Sequence, residues 1–398
     1  ITGSLDDPAD LVTGAIMDDA VVTINEGKPA LATIQITAWP ETITTDESST
    51  ITVQLKDQWG NNLSTERGTV TLASTKGLIG TAIYQTGGYY TATLTGDNRG
   101  TGLATITGIL SDPADGVTGD IADNAFVNFT EGLPNLALSS VTVNNATMTT
   151  DGNSTVTVQL ADQWGNLIEN NRGDVSLAST IGALSGVTYN GNGQYTALLT
   201  GDTRGINGTG LSTITGSFTG SGSASSVTGP FTDDATVSIT EGLPSLLTTE
   251  ITANPVTMTT DESSLISVQL KDWLGNLITH DRATVTLSTT LGVLGNTLAS
   301  YTGNGIYTAT LYGNNSGTGL ATITGVLSGI VQGPLTDGIF DDAEVLITEG
   351  APSMVTSLIS ASPSSITTDE TSTITVQLKD QFGNLLTTSS GSVELRTH

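Results

Sequence analysis

Thr50-Ile51-Thr52-Val53-Gln54-Leu55-Lys56-Asp57-Gln58-Trp59-Gly60-Asn61 is the stretch that decides the fold. Polar and apolar residues alternate through its first half. A period of two sends Ile51, Val53 and Leu55 to one buried face and the threonines and glutamine to the other, the pattern of a half-buried β-strand. Its second half is a turn, in which the Asp carboxylate can accept backbone N–H groups and Gly-Asn tolerates positive φ. The same phrase returns as Thr155–Leu160 with Asp162-Gln163-Trp164-Gly165-Asn166, and as Thr373–Leu378 with Asp380-Gln381-Phe382-Gly383-Asn384. The third copy reads Asp272-Trp273-Leu274-Gly275-Asn276, with the aromatic one place earlier.

Working outward, a second phrase marks the spacing of the copies. Glu-Gly-x-Pro occurs at Glu26–Pro29, Glu131–Pro134, Glu241–Pro244 and Glu349–Pro352, in steps of 105, 110 and 108 residues. That period is too long for a solenoid repeat and is the size of a small domain with its own core. The expected division is 1–27 as the C-terminal part of a preceding repeat, 28–132, 133–242 and 243–350 as complete repeats, and 351–398 as the N-terminal part of a further one. A chain with these ends reads as a window cut from a longer array.

Within one repeat, further strands are expected near 32–38 and at 69–73, 89–94, 102–107 and 125–129, all rich in β-branched residues. Thr44-Thr45-Asp46-Glu47 reads as a turn before the alternating strand. No apolar stripe of helical period appears. About seven short strands with turn signals between them predict an all-β fold, a sandwich of two antiparallel sheets repeated in tandem.

The order Thr-Val-Gln-Leu-Lys-Asp-Gln-x-Gly-Asn, then Gly-x-Val-x-Leu, then Tyr-Thr-Ala-x-Leu-Thr-Gly, then Gly-Leu-Ala-Thr-Ile-Thr-Gly resembles the bacterial immunoglobulin-like repeats of the invasin and intimin type. The resemblance runs over essentially the whole chain. It implies immunoglobulin-like β-sandwiches arranged end to end as the extracellular stalk of a cell-surface adhesin, holding a receptor-binding tip away from the cell. The lectin-like cap of such tips is not visible in this sequence.

Eleven Lys and Arg stand against 39 Asp and Glu, a net charge of −28. Such a surface repels nucleic acid and anionic membrane, so neither is an expected partner. With no cysteine there are no disulfides and no thiolate metal sites, and each repeat must stand on its apolar core, feasible at about 105 residues.

The candidate metal ligands are the acids before each junction and the junction Glu itself. They are Asp18, Asp19 and Glu26; Asp112, Asp115, Asp120, Asp123 and Glu131; Asp233, Asp234 and Glu241; and Asp341, Asp342 and Glu349, with Asp6, Asp7, Asp10 and Asp337 nearby. Hard oxygens at a domain joint suit Ca²⁺, although no EF-hand or nonapeptide spacing is present. The plainer reading is a solvated acidic loop in which Asp bonds its own backbone. Asp57, Asp162, Asp272 and Asp380 are expected to shape their turns, and Trp59, Trp164 and Phe382 to pack in a core or against a neighbouring module. Catalysis has no repeated acid, base or nucleophile to stand on: His280 and His398 have no histidine counterparts, so no enzyme is expected. About five residues separate a closing strand from the next opening one. They include a Pro and a Glu placed to bond across the joint, which restricts swivel. At about 3.3 Å per strand residue a module is roughly 35–45 Å long, and three in line make a rod of order 120 Å. The partners expected are further copies in the same chain. Two alternatives remain open: a subunit of a surface filament, sheath or surface layer that packs on neighbouring chains, and direct glycan or protein binding, best sought around Trp273 and His280.

Overall fold

A computed structural model describes residues 1–314, 317–329, 338–388 and 391–397. Residues Ser4–Asp7 (β1) and Val12–Ala15 (β2) form an isolated exposed hairpin. The first complete module follows, with strands Gln35–Trp39 (β3), Thr42–Thr44 (β4), Ser48–Gln54 (β5), Thr69–Ser74 (β6), Leu78–Ile79 (β7), Ile83–Gln85 (β8), Tyr89–Thr95 (β9), Gly102–Asp112 (β10), Val117–Asp120 (β11) and Ala125–Thr130 (β12). One sheet has the order β3-β5-β9, with β7 and β8 both paired to β9. In the other, β10 pairs β6 on one edge and β11 and β12 on the opposite edge, and β12 pairs β4 in parallel. Residues 35–44 thus supply a strand to each sheet. This is the immunoglobulin-like sandwich, and residues 133–242 and 243–350 repeat it.

Three separate apolar cores fill the sandwiches, running from Ile34 to Phe129, Val141 to Ile239 and Ile251 to Ile347. In each, the alternating strand places its apolar residues inward: Ile51 and Val53, Val156 and Val158, Ile266 and Val268 are fully buried. Among the described residues no strand ladder joins two modules. The accessible surface, 21799 Å², is well above the about 14,600 Å² expected of one merged globule of this mass. The chain is therefore a string of closed units.

Three expectations change. The opening strand begins later, at Gln35, because residues 31–33 turn and the Thr33 hydroxyl donates to the carbonyl of Asp57 at 2.7 Å. Each of the first two modules has ten strands rather than seven, since a single edge of β9 or of β10 is shared by two short strands. Residues 112–120 are also no acidic loop: β10 runs on to Asp112 and returns as β11, because β6 pairs with it along residues 106–111.

The last segment has only Leu358–Ser362 paired with Thr373–Gln377. Gly391-Ser392-Val393-Glu394-Leu395 repeats the Gly-x-Val-x-Leu order of Gly68–Leu72, where β6 forms, yet residues 391–397 form no strand. The strand β6 pairs with, β10, has no counterpart in 351–397, and Ile359 is accordingly 68% exposed where its equivalent Ile36 is buried.

Candidate functional site: the module joints

Each joint is built from two turns that the sequence places more than 100 residues apart. The Asp-x-x-Gly-Asn turn comes from the following module. Its Asp162 Oδ1 accepts the amides of Trp164 and Asn166, both at 2.9 Å, and Oδ2 accepts the Asn166 side-chain amide at 3.0 Å. The Thr-Asp turn comes from the preceding module, and its Thr45 hydroxyl donates to the same Asp162 Oδ2 at 2.5 Å. The bond recurs as Thr150 to Asp272 at 2.5 Å and Thr260 to Asp380 at 2.6 Å. All six residues are at most 1% exposed. A hydrogen bond to a buried carboxylate is among the stronger kinds, and an unpaired acceptor there is costly.

Neighbouring bonds set the orientation. Leu133, Leu243 and Ala351 donate their backbone N–H to Asp46, Asp151 and Asp261 of the preceding module. Asn166 and Asn276 donate to the carbonyls of Asp97 and Asp202. Trp164 Nε1 donates to the Thr45 carbonyl at 3.0 Å, so the ring is a module-contact aromatic. The glycine of Glu-Gly-x-Pro is set by close approach. A Cβ on Gly132, Gly242 or Gly350 would lie 2.5 Å from an oxygen of the facing Thr-Asp turn.

The junction Glu serves the following module. Glu131 accepts the amides of Glu169 and Asn170, at 2.9 and 3.2 Å. Glu241 accepts Thr279 N–H and meets His280 Nδ1, each at 2.9 Å. Glu349 accepts the amides of Thr387 and Thr388, at 2.9 and 2.8 Å. Hydroxyls of Thr388 and Thr387, with their amides, hold the Glu349 carboxyl down at about 2. At Glu241 burial pushes upward, but Thr279 and His280 outweigh it and keep the carboxyl below its usual range. For Asp380 the same contest runs between burial and the donors Thr260 and Asn384, and again the donors prevail.

The candidate metal ligands do not gather as their order in sequence suggests. β10 spans the module: Gly102 pairs with Phe129 beside the joint, and Asp112 pairs with Val117 at the far end, roughly 33 Å away at strand spacing. Asp112 and Asp115 therefore lie far from Glu131, and Asp115 pairs with Arg67 at 2.7 Å. Asp123, Asp233 and Asp341 accept the amides of Ile36, Val141 and Ile251 at 2.7–3.0 Å, a recurrent intramodule lock. Asp18, Asp19, Asp120, Asp234 and Asp342 are exposed, and Glu26 accepts the Ser64 amide at 2.8 Å. Among the described residues no group of three or more acids or histidines is arranged to hold a metal ion. Asp337 and His398 lie outside the described residues.

Two sets of residues escaped sequence reading. One is Thr45, Thr150 and Thr260. The other is Arg67, Arg172 and Arg282, which stand beside Glu26, Glu131 and Glu241 at 4.0, 3.6 and 3.6 Å. The second carried a signal: in a chain with 11 basic residues, three arginines recur at one repeat position.

Fold and joints together define a tandem array of immunoglobulin-like sandwiches coupled by one repeated interface. The sequence model of the family described as Invasin, domain 3 matches residues 30–132 and 135–234, just over half of the chain. The chain belongs to that family and is an adhesin-type surface protein rather than an enzyme. No curated protein matches it. Among solved structures it is similar to FdeC, an Escherichia coli adhesin, at 20% identity over 82% of this chain and 100% of that one, with a TM-score of 0.44. It is similar to InvD of Yersinia pseudotuberculosis at 20% identity over 80% and 98%, TM-score 0.43, and to invasin, a bacterial integrin-binding protein, at 19% over 82% and 62%, TM-score 0.39.

Proposed function

We propose that this chain is a stalk segment of an extracellular bacterial surface adhesin, and that its task is reach. The observation that carries the reading is the buried Thr–Asp bond made three times, at 45–162, 150–272 and 260–380. A flexible tether needs no such bond. A load-bearing rod needs the same orientation fixed at every step, and short Pro-bearing connections supply the rest of the stiffness. Recognition of a receptor then falls to a tip outside these residues. Small-angle scattering tests the reading. Three modules in line, of order 120 Å, give a radius of gyration of about 35 Å, against about 21 Å for one compact body of 398 residues. A value near the lower figure overturns it.

A further inference from the structure

We propose that the outer face of the β3-β5-β9 sheet in the first complete module binds a neutral sugar chain, with a pyranose ring stacked on Trp39. This goes beyond the stalk reading and does not depend on it. Trp39 is 79% exposed on the flank of a closed sandwich. Trp164 gives its indole N–H to a joint, whereas among the described residues the indole N–H of Trp39 makes no hydrogen bond. The Trp39 ring thus serves neither core nor joint.

Strand register sets hydroxyls in rows beside it. Trp39 lies opposite Thr50, and Thr50 opposite Thr93; one row along, Thr37 lies opposite Thr52, and Thr52 opposite Thr91. These six share the face that points away from the core, since the intervening Ala38, Ile51 and Ala92 are buried. Thr91 accepts the Gln85 side-chain amide at 3.1 Å, but among the described residues the hydroxyls of Thr50, Thr52 and Thr93 make no hydrogen bond. Two strand spacings give the Trp39–Thr50–Thr93 row a span of about 10 Å, room for two linked pyranoses.

The chemistry of the face selects its occupant. A sugar ring offers a flat set of C–H groups to the electron-rich indole face, and its hydroxyls donate and accept as threonine hydroxyls do. With 39 acids against 11 bases the chain repels uronate or sulfated glycans, which leaves neutral ones. The other two complete modules break the row. In the second it reads Asn144–Thr155–Leu198, and Asn144 Oδ1 is taken up by the Thr155 amide at 2.7 Å. In the third it reads Asn254–Leu265–Thr310.

The test titrates the whole chain with cellohexaose, with the hexamer of N-acetylglucosamine and with hexagalacturonate, following the indole N–H signals by NMR. Loss of a signal in Trp39→Phe and in Trp59→Phe assigns the two rings. Trp59 is 80% exposed and is the control for an indole without a hydroxyl row. At least one neutral sugar is expected to shift the Trp39 signal saturably and to leave Trp59 in place. Trp39→Ala should weaken that binding about tenfold or more. Thr50→Val and Thr93→Val, which keep the ring and the volume, should each weaken it several-fold. No saturable shift at Trp39, equal shifts at Trp39 and Trp59, or hexagalacturonate bound as well as the neutral sugars would each overturn the proposal, and none of them touches the stalk reading.

Discussion

The Asp57 pole and the Asp272 joint share one turn and differ in what faces it. At Asp57 the carboxylate is held by its own turn, with the Asn61 side chain first among the groups that keep it below the usual range. At Asp272 the same turn is covered, Thr150 adds its hydroxyl, and Asp272 is 1% exposed. The turn is thus a local invention that folds without a partner, and the joint is what a partner adds. Mutations at paired positions separate the two contributions.

Asp272→Ala should have the largest effect. It strands the Thr150 hydroxyl and the Asn276 side chain in a buried place and removes the acceptor for two turn amides, a loss of about 3 kcal/mol. Asp57→Ala leaves its donors open to water and is expected to be much milder. Calorimetry should show the lowest melting transition falling further for Asp272→Ala; equal falls would mean that the facing module adds nothing. Gly242→Ala comes next. Its methyl would meet the Thr150 hydroxyl at 2.5 Å, so the joint must open, at about 1–3 kcal/mol, whereas Gly27→Ala, whose methyl comes no nearer than 3.1 Å to Asp57, should cost less. Thr150→Val keeps the volume and deletes only the hydroxyl, for about 1 kcal/mol, and its scattering profile should show a broader distribution of lengths.

The same contrast explains what the sequence disclosed. The alternation at 50–55 and the Asp57–Asn61 turn are local, made by neighbours in the chain, so periodicity and turn chemistry read them. The pairing of Thr45 with Asp162 spans 117 residues, and nothing local distinguishes a threonine that donates to the next module from one that merely favours a strand. The short strands Ile83–Gln85 and Val117–Asp120 were missed for a related reason: what makes them strands is the free edge of β9 or β10, a tertiary fact. Asp112 to Asp123 were grouped with Glu131 because they precede it in sequence. β10 runs the length of the sandwich, so nearness in sequence there means opposite ends in space.

Acid should loosen the joints in a defined window. Glu349 has its folded value depressed to about 2 from an ordinary 4.5. A depressed carboxylate contributes stability that is complete above the unfolded value and is lost as pH falls through the folded one. The contribution of Glu349 is therefore intact above about pH 5 and declines between pH 4.5 and pH 2. The depressed carboxyls of Glu241 and Asp380 decline in the same direction. Glu349→Gln should flatten its share of this pH dependence in thermal melts taken from pH 6 to pH 2. An unchanged slope would mean that the Thr387–Thr388 turn closes without the carboxylate.

Calcium gives the smallest effect expected and the sharpest contrast between joint and open pole. Binding only to the folded state raises stability by mass action, but the joint carboxylates already have donors. Glu131 and Glu349 hold two backbone amides each, and Asp162 is filled by its turn, Asn166 and Thr45. To ligate an ion, each must give up a bond that holds a turn of the joint in place. Of the acids with free oxygens, Asp18, Asp19, Asp234 and Asp342 stand exposed to water, and Asp112, whose Oδ2 is buried without a partner, lies at the far end of its module from Glu131. Millimolar Ca²⁺ added to chelator-treated chain should therefore move the melting transitions little. What movement there is should survive Glu131→Gln and Glu349→Gln, because it comes from the exposed acids. A large rise abolished by those two substitutions would instead make the joints ion-bridged and overturn the hydrogen-bonded account of their stiffness.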